Sequence, residues 1–441
     1  MVYYGRLNLA EIRAFKGTFY DTGVVGDLST VTSPPYDVIN ARRRKELQAK
    51  SPYNVVRLIL PQDESDREFW NTSRELFREW KSGGVFKADQ APALYVYRQT
   101  FEIPKHGRTY RTGITAALRC KNFSHGDVLP HEKTFPKVSE ERLNLLRSCR
   151  ANFSQIFTVF RDPQGEVLQC IEKTVAEPAF VEFSDEEGVM HQLWRIEESD
   201  ATDMVVKAIS KQKLIIADGH HRYETAFNFS LEGQQAEADQ PRGYVSTTLF
   251  RSEDPGLVIL PVHRLIRRLP LSVEEALARL ERFFDVREMG DVVGFGEGGF
   301  QEKLAGSERP GFIMIAPRTV ALLRLREGVD PDKAIKGSGS AAWKGQDVAI
   351  LHALVIEESL GMDADRLAEE GDLYFSPWER EVLTRIERGE AEAAFMLRPV
   401  RIDEVWRIAE GGERMPHKST YFHPKLPSGL IIYDHENAFD A

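Results

Sequence analysis

The residues Asp218-Gly219-His220-His221-Arg222 stand between a short apolar run, Leu214-Ile215-Ile216-Ala217, and a stretch carrying Tyr223, Ala226, Phe227 and Leu231 at helical spacing. This unit constrains the fold more than any other segment. Four apolar residues are long enough only for a buried strand, and the 3.6-residue spacing after them predicts a helix with Gly233 as its stop. Strand, polar turn and helix in that order belong to a mixed α/β fold. The helix start offers unpaired N–H groups and the positive end of a dipole, so the turn suits an anion. Gly219 lets backbone come close to a phosphate, and Arg222 can donate two parallel hydrogen bonds to it. His220 and His221 add donors or carry protons near neutral pH. Asp218 adds a carboxylate that can orient a histidine, bind a cation or hold an amine. The competing reading is an ordinary capped helix with solvated polar residues. Zinc is disfavoured, because adjacent histidines seldom share one ion and no HExxH occurs.

A second segment reads Leu129-Pro130-His131-Glu132-Lys133-Thr134 and leads into an amphipathic stretch with Glu141, Arg142, Leu143, Leu145 and Leu146. Glu132, a carboxylate among cations, suits a general base, and Lys133 and Thr134 suit phosphate contacts. A surface salt-bridge cluster explains the same residues. A third segment, Met415 to Lys425, gathers His417, Lys418, Ser419, Thr420, His423 and Lys425. It fits an anionic ligand or a plain basic loop. A fourth, Pro34-Pro35-Tyr36-Asp37, is a rigid loop that lines a pocket or shapes the fold. Gly294 to Gly299 lacks the βαβ context of a dinucleotide fingerprint, and the Gly337–Ser340 stretch lacks the Lys-Ser/Thr ending of a phosphate loop.

The chain of 441 residues is too long for one core and predicts several domains. The expected division is a strand-rich part over 1–115, a central part with both polar motifs over 116–265, and an α/β part over 266–441. Asn54 to Leu60 reads as a strand and Glu64 to Lys81 as a helix. Leu94 to Phe101 and Thr109 to Leu118 read as paired strands, as do Phe312 to Ala316 and Val320 to Arg324. Ser272 and Glu275 form a capping box. A net charge of −10 argues against nucleic acid as partner. Three scattered cysteines argue against a disulfide framework. No apolar run suits a leader or a membrane span, so the expected location is the cytoplasm.

Pro130-His131-Glu132 with its following helix, read with Asp218 to Arg222, resembles the ParB/sulfiredoxin-like superfamily, and within it the free L-serine kinases. The whole chain also resembles a large prokaryotic family of unknown function. That likeness rests on PPYDVI at 34–39, LPHEKT at 129–134, ADGHHRYETA at 217–226, LPVHRLI at 260–266 and MPHKSTYFHPKLPSGL at 415–430. The kinase likeness covers only the two central motifs, and 85 residues separate Glu132 from Asp218. The resemblance implies a ParB-like mixed α/β core and phosphoryl transfer from ATP or ADP, with Mg2+, to the hydroxyl of free serine. It implies Glu132, Asp218 and His220 as catalytic residues. Gly219, His221, Arg222, Lys133, Thr134 and Lys418 would hold phosphates, and His131 and Arg142 the amino-acid substrate. The alternative it leaves open is a nucleotide-binding switch without kinase activity. Neither metal ligands nor an oligomeric state follow from it.

Overall fold

The computed structural model of the chain describes residues 9–60, 69–103, 107–132, 136–232, 240–291, 299–305 and 309–439. It is a mixed α/β protein of two compact units. Unit 1 comprises Met1–Pro130, Thr134–Val258 and Pro424–Ala441; unit 2 comprises His131–Lys133 and Ile259–His423. The expected border at 115 falls inside a strand, Gly107–Arg119, and the one at 265 inside another, His263–Ile266.

Unit 1 is built on one mixed sheet. Its strands are β1 (Ile12–Arg13), β2 (Leu94–Ile103), β3 (Gly107–Arg119), β4 (Val128–Pro130), β5 (Ile156–Phe160), β6 (Val181–Ser184), β7 (Met190–Ile196), β8 (Leu214–Asp218) and β9 (Tyr244–Arg251). They run in the order β4-β8-β5-β9-β3-β2-β7-β6, with β1 paired to β3. β2 and β3 pair antiparallel, as their alternation predicts. β8 lies parallel to β4 and antiparallel to β5, and its five residues are buried up to Ala217. Leu214, Ile216, Ile156, Phe160, Ile114 and Leu249 share one core with Tyr223 and Phe229 of the following helix.

Asn54 to Leu60 is a correction. Val56–Ile59 forms a helical turn, α1, with Val56, Leu58 and Ile59 buried. A seven-residue apolar run does not distinguish a strand from a buried helical segment. Here Asn54 decides it: its side-chain oxygen accepts from the N–H of Val56, and its amide donates to the carbonyls of Thr30 and Thr32. The next helix, α2, spans Phe69–Ser82 and buries Phe69, Phe77 and Trp80; the first part of its expected span lies outside the described residues. Helix α3 (Pro136–Cys149), α4 (Ser199–Ile209) and α5 (His220–Ser230) complete the elements that matter below. The expected stop at Gly233 also lies outside the described residues.

Unit 2 carries a six-stranded sheet of β10 (His263–Ile266), β11 (Phe284–Gly290), β12 (Gly311–Ala316), β13 (Thr319–Leu325), β14 (Leu373–Ser376) and β15 (Ala393–Met396). The order is β11-β13-β12-β15-β10-β14. β12 and β13 form the expected hairpin. Ser272 and Glu275 close the expected capping box at the start of α6 (Val273–Leu280). Most of the glycine-rich stretch 294–299 lies outside the described residues. No helix among the described residues is long and apolar enough to cross a membrane. All three cysteines are buried free thiols.

Candidate functional site

The polar turn of unit 1 sits where β8 becomes α5. The pairing of β8 with β5 shifts between Ile216 and Asp218, a bulge at Ala217 after which Asp218 pairs opposite Phe157. Gly219 follows at φ 93°, a left-handed conformation open to glycine. A Cβ there would also lie 2.8 Å from Arg222 Nη2. The backbone angle requires glycine, and any side chain there would also displace the Arg222 guanidinium folded over it. α5 starts at Gly219 with no side-chain cap, so its first N–H groups take no cap from that residue.

Arg222 donates from Nη2 to Asp218 Oδ2 at 2.6 Å and from Nη1 to the carbonyl of Gln155 at 2.7 Å. Lys425, from the C-terminal segment, donates to the other oxygen of Asp218. One carboxylate thus stands between two cations, and the three groups carry a net positive charge. Asp218, Arg222 and Lys425 are 16%, 12% and 13% exposed, shielded enough for that charge to be felt. His220 is buried and His221 half-buried on the first turn of α5.

Arg222 also lines a cleft of about 50 Å3 with Tyr36, Arg142, Asn152, Ser154 and Thr225. That is well below the ~300–1,000 Å3 of whole small-molecule sites, so the cleft is a narrow polar notch rather than a full nucleotide pocket. Arg142, on α3, is 6% exposed. Its Nη1 donates to the carbonyl of Ile59 at 3.0 Å and its guanidinium lies 4.2 Å from the centre of the Tyr36 ring. Its Nε has no hydrogen-bond partner, and Arg142 makes no ion pair among the described residues. Burial, above all, lowers its affinity for its proton, with Tyr36 acting the other way. Burial, with Asp37 second, pushes the Tyr36 phenol up to about 12, so it stays a neutral donor at pH 7. A desolvated cation without a carboxylate is costly, and an anion in the cleft would offset that cost. The rigid loop, the helix after the second motif and the turn thus meet at one place, through Tyr36, Arg142 and Arg222.

Unit 2 brings His131 and Glu132 of the second motif together with Met415 to His423 of the third. His131 accepts at its carbonyl from Met415 N at 2.7 Å, and Glu132 bridges Met415 in parallel. Thr420 donates twice to Glu132 Oε1, from its backbone N at 2.8 Å and from Oγ1 at 2.9 Å. His131 is fully buried, and its Nε2 lies 2.8 Å from the same Oγ1. Arg264 on β10 is fully buried, donates to the carbonyl of His417 at 3.1 Å, and is attracted to Glu132. Burial lowers its pKa to about 10, and the Glu132 charge acts against that shift. Lys418 adopts φ 55°, unusual for a residue with a Cβ. Lys133 and Thr134 lie outside the described residues.

The sequence places Thr420 and Lys425 in a candidate anion-binding segment and Tyr36 in a pocket-lining loop, but gives none of the three an individual role. It gave Arg264 no role. The signal there was a His-Arg pair inside the otherwise apolar LPVHRLI. Among the described residues no group of three His, Cys, Asp or Glu is arranged to hold a metal ion.

A family model described as "Protein of unknown function (DUF1015)" matches residues 12–349. No curated protein matches the chain. Among solved structures, a conserved hypothetical protein from Pyrococcus furiosus is similar at 14% identity and TM-score 0.34, covering 68% of this chain and 90% of its own. A free serine kinase in complex with AMP is similar at 14% identity and TM-score 0.35, covering 68% and 87%. SbnI with C-terminal truncation from Staphylococcus aureus gives 11% identity and TM-score 0.33, covering 68% and 81%. Likenesses this distant carry no argument about activity.

Proposed function

The chain belongs to the DUF1015 family, and we propose that it is a nucleotide-dependent kinase of a small hydroxyl-bearing molecule, with free L-serine as acceptor. The observation that supports this most is the unit-1 cleft, where Arg142 and Arg222 face one cavity and Arg142 makes no ion pair among the described residues. Two guanidiniums and a neutral phenol match the chemistry of phosphate oxygens. The motif likeness to serine kinases adds the reaction. The terminal phosphoryl group of ATP or ADP passes to the serine hydroxyl. A P–O bond forms to the acceptor, the bond to the nucleotide's bridging oxygen breaks, and the hydroxyl proton goes to a base. That base is assigned to Glu132. The phosphates are assigned to Gly219, His221, Arg222 and the cleft, with Mg2+ as their counter-ion. Phosphoryl transfer depends mostly on such positioning and charge neutralisation. A cytoplasmic location is part of the same reading.

The test is direct. The purified protein is incubated with serine, Mg2+ and either ATP or ADP, and O-phosphoserine is assayed by mass spectrometry. Phosphoserine with one of the two nucleotides is expected. Tight nucleotide binding with no phosphorylated amino acid would overturn the kinase reading and favour a nucleotide-binding switch.

A further inference from the structure

We infer that Thr420 is a positioning residue for Glu132, and that His131 holds Thr420 in place by donating from Nε2. The inference rests on the kinase reading for its catalytic meaning, and on unit-2 geometry for everything else.

Proton counting sets the direction of the hydrogen bonds. An ionised carboxylate only accepts, and a threonine hydroxyl has one proton. Thr420 Oγ1 is 2.9 Å from Glu132 Oε1 and 2.8 Å from His131 Nε2. The single hydroxyl proton points to Glu132, so the contact with His131 must be an N–H of the histidine donating to Oγ1. The chain of donors therefore runs His131 Nε2–H to Thr420 Oγ1–H to Glu132 Oε1. The backbone N–H of Thr420 donates to the same oxygen at 2.8 Å. Two donors from one residue hold that carboxylate oxygen in place. His131 is fully buried and Thr420 is 8% exposed, so water does not compete freely for these bonds.

The support behind Thr420 is equally specific. Ser419 donates its hydroxyl to the carbonyl of Pro416 at 2.6 Å, which ties the preceding turn. Phe422 packs edge-on to the His131 ring at 6.0 Å between centres. Arg264 holds the carbonyl of His417 and supplies a buried positive charge toward Glu132. The 415–423 segment is thus a brace around Glu132, 288 residues away in sequence.

Thr420→Val keeps the shape and the backbone N–H but removes the hydroxyl. Its kcat is expected to fall roughly ten- to hundred-fold, the worth of one hydrogen bond to a charged group, with KM within about two-fold. Thr420→Ser is expected to restore kcat to within about three-fold of wild type, which a packing role for the methyl would not do. The thermal midpoints of both variants are measured to confirm folding. A second readout needs no turnover: 15N spectra of the His131 ring should show Nε2 protonated in the wild type, with its shift displaced in Thr420→Val. A bare Nε2 in the wild type, or an unchanged kcat in Thr420→Val, overturns the inference. Absence of phosphoserine from the wild type would overturn the kinase reading instead, and the His131 spectrum would still decide the hydrogen-bond chain.

Discussion

Glu132→Gln is expected to lower phosphoserine formation by roughly 10²–10⁴-fold, the usual contribution of a positioned general base. The amide is nearly isosteric with the carboxylate and its oxygen still accepts from Thr420 N and Oγ1, so the brace described for Thr420 survives. What is lost is the basic oxygen for the acceptor's proton. Nucleotide affinity should change by less than about two-fold, because the phosphates are assigned to unit 1, which does not contain Glu132. Steady-state kinetics with ADP titration separate the two quantities. Normal turnover in Glu132→Gln would remove Glu132 from the mechanism.

Acid is expected to loosen unit 2 through His263. The side chain is fully buried on β10, and its Nδ1 accepts from the N–H of Leu397 at 3.2 Å. Burial, and then Arg264, lower its pKa from 6.5 to about 3. A histidine whose folded pKa lies below its unfolded value stabilises the fold above the unfolded pKa. That stabilisation drains away as pH falls from about 6.5 toward 3, because the unfolded chain takes up the proton first. By pH 4.5 the loss is on the order of 2–3 kcal/mol. Protonation also turns the Leu397 acceptor into a donor facing a donor. Hydrogen exchange of the β10 and β15 amides, corrected for intrinsic rates, measures the local opening energy. His263→Asn keeps an acceptor but does not titrate, so its opening energy should fall less over the same window. An identical fall in the variant would assign the acid sensitivity to other groups.

The parts of the fold that the sequence made legible are those decided over a few residues. Leu214 to Arg222 has strand, glycine and helix signals in immediate succession, and the β12–β13 hairpin and the Ser272 box are similarly local. Asn54 to Leu60 was misread because its outcome depends on Asn54 reaching the carbonyls of Thr30 and Thr32, which no periodicity encodes. The candidate site was half legible. Gly219, Arg222, Glu132 and Arg142 stood out by residue type. Their partners did not, since pairing Lys425 with Asp218 or Thr420 with Glu132 takes chain separations of 207 and 288 residues. The Met415 to Lys425 segment is the clearest case. It reads as one loop, anion-binding or plainly basic, yet the boundary at Pro424 gives Lys425 to unit 1 while Lys418 and Thr420 belong to unit 2. Composition and spacing cannot locate such a boundary.

In this reading the unit-1 cleft holds phosphate groups on Arg142 and Arg222. Calorimetric titration of ADP into the wild type and into Arg142→Met measures whether it does. Methionine fills the buried volume and removes a cation that makes no ion pair among the described residues, so the variant should be as stable as the wild type or more so. Its affinity for ADP should nonetheless fall roughly ten- to hundred-fold, the loss of one charge-assisted contact. Equal affinity in the two proteins, or no ADP binding by the wild type, would contradict the assignment of the cleft.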